Sequence, residues 1–333
     1  MATMTTCSGL RAVSVAILPT ERMLSGHDAC CAVDPCNLCP RMCGAHRTLG
    51  ERGVCGADSR VLIARAALHF WEEPPLSGEA GSGAVFFSHC PLRCVYCQNA
   101  VIASGRAGRE TSVERLAEIC LELQDQGALN VNFVTPTHYS LAIRDAVRLA
   151  RERGLELPIV WNTSGYERVE VLEALDSTVD VYLADFKYAD GVLARRYSNA
   201  ADYPAVALAA IEKMIELVGG PRFDEVNGQA RLTKGVIVRH LVLPGALENS
   251  LRAIELLWKR FGDVVLYSIM NQYTPVMGAE GLVRYPELGA TVPRDDYEQL
   301  LDFADALGIE DYFWQDGPAA EESFIPAWDG SGV

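Results

Sequence analysis

The chain has 333 residues, of which 49% are hydrophobic and 22% charged, proportions that are typical of a folded globular protein rather than a disordered one. Its formal net charge of −15 disfavours nucleic acid as a partner, because affinity for a phosphate backbone comes from clustered lysine and arginine. No run of about 18 apolar residues is present, so the sequence predicts no transmembrane span.

The cysteines are concentrated in the first third of the chain. Of the eleven cysteines, all except Cys120 lie at or before Cys97. Many of them are two or three residues apart, a spacing that suits metal ligation better than distributed disulfides. This usage indicates a reducing compartment, and we therefore expect a cytoplasmic protein.

The N-terminal part divides at the first group of closely spaced cysteines. Residues 1–35 carry no strong periodicity, and Cys7, Cys30 and Cys31 lack partners at convincing spacing, so this segment is left unassigned. Residues 36–83 form a cysteine-rich module and a linker. The spacing C-x2-C-x3-C-x11-C is made by Cys36, Cys39, Cys43 and Cys55.

Four thiolates around glycine- and proline-containing turns can close a tetrahedral zinc site or ligate an iron–sulfur cluster. A complete set of protein ligands leaves no open coordination position. We therefore predict a structural metal, zinc rather than iron, that folds a small module with little core of its own. Free buried thiols, or His46 in place of one cysteine, are the alternatives.

The segment from Ala64 to Gly83 is predicted to be a linker, because the consecutive Pro74 and Pro75 oppose a regular helix. The apolar run Ala84–Phe87 that follows is predicted to be a short buried strand.

A second group of cysteines comes directly after that strand. Cys90, Cys94 and Cys97 stand at C-x3-C-x2-C, and three thiolates on one loop can hold three irons of a 4Fe-4S cluster. Such clusters normally take four cysteine ligands, so the fourth iron would be open to a substrate or cofactor, which indicates catalysis. Zinc is the alternative, although its ligands usually come as two C-x2-C pairs.

Beyond this loop, apolar runs alternate with helical patterns. Strands are predicted at 84–87, 131–134, 158–162, 179–186, 235–243 and 264–270, and helices at 111–126, 141–153, 168–175, 204–218, 248–261 and 293–307. Six strands alternating with helices indicate an α/β fold with parallel strands, and they are fewer than the eight of a closed barrel. We predict a partial (β/α)6 TIM-like barrel over residues 84–315. The tail, 316–333, is expected to cover one barrel face.

Polar side chains follow the predicted strands at their carboxyl ends, where βα barrels place their active sites. Each one alone could simply be a strand-end hydrogen bonder, but they share a mouth with the cysteine loop. Asp185 and Lys187 point to the same face of a strand and would contact a zwitterionic ligand. The candidates for cofactor binding are Thr135, Thr137, His138, Asn162, Ser164, Asp185, Lys187, Arg239 and His240.

The C-x3-C-x2-C spacing, with Tyr96 directly before the third cysteine, resembles the signature of radical S-adenosylmethionine (SAM) enzymes. The run from Cys36 through Asp185-Phe186-Lys187 to His240–Gly245 resembles an uncharacterised, N-terminally extended branch of the pyruvate formate-lyase activating enzymes. The resemblance implies that the second cysteine group binds a 4Fe-4S cluster. It also implies that Tyr96 packs near the adenine of SAM and that Asp185 and Lys187 contact SAM.

Two positions depart from that family. Residues 135–138 (Thr-Pro-Thr-His) stand where better-known activating enzymes have a Gly-Gly-Glu-type strand end, and His89 stands where glycine is more usual.

The resemblance implies reductive cleavage of SAM to a 5′-deoxyadenosyl radical that abstracts hydrogen. The predicted hydrogen donor is a glycine in a partner glycyl radical enzyme, and the expected reductant is a flavodoxin or ferredoxin. Modification of another peptide or of a small molecule is the alternative. The alternative that is not an enzyme is a non-catalytic iron–sulfur or zinc protein.

Overall fold

The computed structural model describes residues 33–315 and 326–333. The predictions for residues 1–32, which include Cys7, Cys30 and Cys31, and for residues 316–325 of the tail lie outside the described residues.

Ten strands and ten α-helices form an α/β fold in the described part of the chain. The strands are β1 (Leu62–His69), β2 (Ser82–Phe87), β3 (Arg109–Glu110), β4 (Val131–Val134), β5 (Ile159–Thr163), β6 (Val181–Asp185), β7 (Arg222–Val226), β8 (Gln229–Leu241), β9 (Leu266–Met270) and β10 (Tyr312–Trp314). The helices are α1 (Pro74–Ser77), α2 (Ala100–Ala103), α3 (Val113–Asp125), α4 (Ser140–Glu152), α5 (Val169–Glu173), α6 (Gly191–Ser198), α7 (Tyr203–Val218), α8 (Leu247–Phe261), α9 (Ala279–Arg284) and α10 (Arg294–Ala306).

The six predicted strands pair in parallel in the order β2-β4-β5-β6-β8-β9. β10 extends this parallel series, and β1 lies antiparallel to β2 at the other side. The strand order runs from β10 to β3 without closing. The predicted α/β fold with an unclosed, partial TIM-like barrel is therefore confirmed.

The parallel strands are buried on both faces, which is why their sequences read as short apolar runs. Alternate side chains on β5 show the division: Trp161 packs in the large cluster beneath the helices, whereas Val160 belongs to a smaller cluster. That smaller cluster also contains Leu76 from α1. The other residues of this cluster come mainly from the strands. The short helix α1 therefore packs against the inner face of the barrel.

The predicted linker at 64–83 is therefore wrong. Its first part pairs as β1, and Pro74 occupies the first turn of α1, where the missing N–H of proline costs no hydrogen bond. The short helix α6 and the strands β3, β7 and β10 were also not predicted. The β7–β8 hairpin turns at Asn227-Gly228, where both residues have positive φ (52° and 77°), and this Asn-Gly pair is a hairpin signal in the sequence.

The described end of the tail lies along β1. The Ala66 amide donates to the Ser331 carbonyl (2.9 Å), and the Gly330 amide donates to the Ala64 carbonyl (3.1 Å). Trp328 packs edge-on against Phe86 of β2, with 5.3 Å between the ring centroids. Residues 326–333 thus cover the first two strands of the sheet. None of the described helices combines the length and apolar character that a membrane span needs.

Candidate active site

The cysteine loop leaves the end of β2 through a backbone with two left-handed residues, His89 (φ 73°) and Arg93 (φ 53°). Such φ values are unfavourable for residues other than glycine, which explains why glycine is the more usual residue at the His89 position. The His89 ring is buried against Gly56 and Gly105, where a Cβ would crowd or overlap it.

The thiols of Cys90, Cys94 and Cys97 all line one cavity. Burial, together with the neighbouring Cys94 thiol, raises the pKa of Cys90 to about 11 and that of Cys97 to about 12. Protonated thiols repel one another less than thiolates, but a metal centre removes these protons. Three half-buried, adjacent thiols on one loop that open onto a cavity fit a 4Fe-4S cluster, one iron of which would have no cysteine ligand from this loop.

The cavity has a volume of about 390 Å³ and lies at the carboxyl ends of the parallel strands. It brings together seven of the ten predicted cofactor-binding residues: Tyr96, Thr135, Asn162, Ser164, Asp185, Lys187 and Arg239. Their arrangement on successive strand ends around the three thiols is the one that the sequence predicted.

Asp185 is the centre of a buried charge network at this cavity. One carboxylate oxygen accepts from Lys187 Nζ (2.5 Å), and the other accepts from Arg239 Nε (2.9 Å). Burial alone would raise the pKa of Asp185, but the adjacent Arg239 and Lys187 outweigh it and lower that pKa. Burial likewise opposes the charge on Lys187, and the neighbouring Asp185 reverses the effect and raises its pKa. Asp185 is therefore ionised, and it holds two cations in fixed positions.

Glu72 is a site residue that the sequence analysis missed, since it lay in the predicted linker. Its Oε1 accepts from the side-chain amides of Asn132 (3.0 Å) and Asn162 (3.1 Å), and its Oε2 accepts from Arg239 Nη1 (3.2 Å). The neighbouring Glu73 is also buried and lines the cavity. Burial raises the pKa of both carboxyls against the opposing effect of Arg239.

The only signal for these two residues in the sequence was an acidic pair directly before two prolines. That pattern is equally typical of an exposed turn.

Three predicted contacts with SAM do not fit the structure. Thr137 donates to Glu167 Oε1 (2.7 Å), His138 Nε2 lies 2.8 Å from the Ser88 carbonyl, and the two ring nitrogens of His240 face the Phe186 carbonyl and Ser250 Oγ. Burial lowers the pKa of His138 to about 3 and that of His240 to about 4. For His240 the reason is strand alternation, because its neighbour Arg239 faces the cavity. Thr137 and His138 lie in a 3-10 turn, Thr137–Tyr139, that points them into the protein.

Two of the four N-terminal thiols share the space beside one glycine. The Cys43 and Cys55 sulfurs flank Gly53, where a Cβ would be 3.1 and 3.6 Å from them. Arg47 Nη1 lies 3.8 Å from the Cys36 sulfur and donates to the His138 carbonyl (2.8 Å). The module is thereby tied to the loop that follows β4.

Among the described residues, no three His, Cys, Asp or Glu side chains converge closely enough to hold a single metal ion. An iron–sulfur cluster spreads its thiolates over separate irons, so its ligands surround a larger group than one ion. The structural metal at the N-terminal thiols, zinc or iron–sulfur, stays a prediction.

Comparison with known proteins relates this chain to one superfamily. Residues 84–228 match the family model of the radical SAM superfamily. The uncharacterized protein MJ0674 of Methanocaldococcus jannaschii is 27% identical over 286 residues, which are 83% of this chain and 75% of that protein.

Among solved structures, Streptococcus suis SuiB bound to S-adenosylmethionine is 14% identical over 69% of this chain, with a TM-score of 0.45. SuiB bound to its precursor peptide SuiA gives 14% identity, 70% coverage and the same TM-score. The chain spans about half the length of these SuiB chains, 46% and 48%. The family match itself begins with β2 and includes the three-thiol loop and the Asp185 and Lys187 pair. Residues 84–228 of this chain are therefore a domain of the radical SAM superfamily.

Proposed function

We propose that this protein is a radical SAM enzyme in which Cys90, Cys94 and Cys97 hold a 4Fe-4S cluster and SAM binds in the adjoining cavity. The observation that carries the proposal is that three thiols of one loop and the charge network of Asp185 face the same cavity. A bound cluster and SAM supply the chemistry, which is reductive cleavage of the sulfonium to methionine and a hydrogen-abstracting 5′-deoxyadenosyl radical. The electron comes from a flavodoxin or ferredoxin in the cytoplasm.

The protein's own residues bind and orient the cofactor. Lys187 uses one of its three N–H groups on Asp185, and its remaining donors are suited to the carboxylate of the methionine part of SAM. Asp185 keeps Lys187 and Arg239 in place, while Asn162 and Ser164 offer hydrogen bonds at the next strand end. The buried ring of Tyr96 forms an apolar wall near the thiols, which suits an adenine.

For the substrate, we propose a glycine in a glycyl radical enzyme. A cavity of about 390 Å³ is at the small end of the range for one drug-sized ligand, so SAM alone would occupy most of it. The substrate must then approach from the open side of the barrel, as a polypeptide loop is able to do. The exposed Trp71 and Trp314 at the cavity edge offer apolar surface to such a loop.

The test is to mix the reconstituted, reduced enzyme and SAM with candidate glycyl radical proteins from the same organism. Electron paramagnetic resonance should show the doublet of a glycyl radical, and the Cys94→Ala variant should not produce it. If no candidate gives the doublet while another peptide or a small molecule drives 5′-deoxyadenosine formation, the activating role is wrong and the radical SAM assignment stands.

We also propose that Cys36, Cys39, Cys43 and Cys55 hold a structural metal. Two observations support this role: three of the four cysteines are buried and Cys43 is half-buried, and the sulfurs of Cys43 and Cys55 share the space beside Gly53.

A further inference from the structure

The last turn of α6 lies directly against the three-thiol loop. The Val95 amide donates to the Tyr197 carbonyl (2.9 Å), and Ser198 Oγ donates to the Cys94 sulfur (3.1 Å). Ser198 is 3% exposed, so water does not compete for this hydrogen bond. This hydrogen bond places a hydroxyl donor next to Cys94, one of the three thiols of the proposed cluster site.

Two buried tyrosines, Tyr188 and Tyr96, lie beside the serine hydroxyl. Ser198 Oγ is 2.7 Å from the hydroxyl of Tyr188, which in turn is hydrogen-bonded to the hydroxyl of Tyr96 (2.9 Å). A serine hydroxyl has one proton and can accept two hydrogen bonds. The Ser198 proton is directed to the Cys94 sulfur and the Tyr188 proton to the Tyr96 hydroxyl, so Tyr188 holds the Ser198 oxygen in place by its position.

Arg41, which lies between Cys39 and Cys43, joins this turn to the cysteine loop. Its guanidinium donates to the carbonyls of Ser198 (2.7 Å) and Asn199 (2.5 Å) and to that of Pro91 in the loop (3.0 Å). The first two carbonyls are at a helix end, where intrahelical partners are missing. One side chain of the N-terminal module thus fixes Ser198 relative to Cys94.

We infer that Ser198 tunes the reduction potential of the cluster held by Cys90, Cys94 and Cys97, and that Arg41 is a positioning residue that acts through Ser198. The inference rests on the proposed function, because it requires a cluster at these thiols. Hydrogen bonds to cluster sulfurs are among the factors that set the potential. A donor stabilises the reduced cluster more than the oxidised one, because the reduced cluster carries more negative charge. Ser198 therefore makes the cluster easier to reduce.

The experiment is a potentiometric titration of the reconstituted full chain, followed by electron paramagnetic resonance. Ser198→Ala should shift the reduction equilibrium about tenfold towards the oxidised state, which is about 59 mV for one electron. Ser198→Thr keeps the hydroxyl and should stay near the parent potential. Ser104→Ala is the matched control, because the Ser104 hydroxyl donates to the Val101 carbonyl and not to a sulfur.

The role of Arg41 is tested by a double-mutant cycle. Arg41→Ala should lower the potential, and Arg41→Ala combined with Ser198→Ala should give the same potential as Ser198→Ala alone. Additive shifts would show that the Arg41 charge acts on the cluster through space, and they would overturn the positioning role.

Iron content and the spectrum of the parent protein distinguish failure of the proposed function from failure of the inference about Ser198. If the parent chain binds no cluster, the proposed function fails. If the parent and Ser198→Ala both hold the cluster with full iron content and their potentials are equal, the inference is overturned while the proposed function stands.

Discussion

At the scale of single residues, Asp185 has more partners in the structure than the sequence Asp185-Phe186-Lys187 predicted. The pattern placed Asp185 and Lys187 on one strand face as two contacts with SAM. In the structure, Asp185 forms ion pairs with both Lys187 and Arg239, and Arg239 also pairs with Glu72. The four side chains therefore form one unit, and the loss of its central carboxylate leaves two buried cations with a single carboxylate partner.

Asp185→Asn should weaken SAM binding by about tenfold to a hundredfold, the effect of one or two hydrogen bonds between charged groups. The reason is that the asparagine side chain keeps the size of the aspartate but no longer fixes both cations. Equilibrium binding of SAM to the reconstituted protein measures the effect, with iron content as the second readout.

Asp145→Asn is the control, because Asp145 pairs with Arg144 on the surface of α4. If Asp185→Asn binds SAM as the parent does, Asp185 has no role in the SAM site.

At the scale of elements, Glu167 joins the turn after β4 to β5. Its Oε1 accepts from Thr137 (2.7 Å), Trp161 (3.2 Å) and Thr163 (2.5 Å). Burial raises the pKa of Glu167 to about 7, against the opposing effect of these hydrogen bonds. The carboxyl is therefore protonated in the folded protein at a pH where it is ionised in the unfolded chain.

The pH dependence of stability follows from that difference. Between pH 4.5, the ordinary pKa of this group, and about 7, the folded state binds a proton that the unfolded state lacks, so stability falls as the pH rises through this window. The loss approaches about 3 kcal/mol above the window.

Glu167→Gln should remove this loss, and Glu170→Gln, on the exposed side of α5, should not. Urea unfolding of the three proteins at pH 5 and pH 8 measures it. Equal pH slopes in the parent and Glu167→Gln would mean that Glu167 is ionised in the fold.

The N-terminal module gives a further prediction. Gly53→Ala would place a Cβ 3.1 Å from the Cys43 sulfur, so metal bound at the four N-terminal thiols should fall several-fold. Gly220→Ala is the matched control, since nothing lies within 4 Å of a Cβ at that position.

Metal analysis in a background with Cys90, Cys94 and Cys97 all changed to alanine isolates this site. A folded background protein that contains neither zinc nor iron would show that the four thiols are unligated.

The sequence was sufficient for elements that are defined by their own pattern. The runs at 131–134 and 264–270 are apolar and flanked by turn residues, and the helix over 111–126 has a Ser112 cap and buried residues at helical spacing. What the sequence did not predict depends on distant partners. β1 exists because it pairs with β2, and Glu72 enters the site because α1 fills the barrel.

The sequence also could not predict which of two neighbouring strand residues points into the cavity. Arg239 and His240 were equal candidates, since a strand pattern gives alternation but not which residue faces the ligand. Only the pairing of β8 between β6 and β9 decides that Arg239 faces the cavity.

At the scale of the whole molecule, the barrel, the three-thiol loop and Pro326 of the tail surround one cavity. The sheet supplies the polar strand ends, and Leu76 of α1 packs in the interior below them. Arg41 ties the N-terminal module to the cysteine loop, and Arg47 ties it to the loop that follows β4. The sheet does not close, so the barrel keeps an open side.

The central claim is that the three thiols of the loop after β2 support reductive cleavage of SAM. The most direct measurement is chromatographic assay of 5′-deoxyadenosine after the reconstituted protein is incubated anaerobically with dithionite and SAM. The parent should form it, and the variant with Cys90, Cys94 and Cys97 changed to alanine should form none while it stays folded. Formation of 5′-deoxyadenosine by that triple variant at the parent rate would contradict the account.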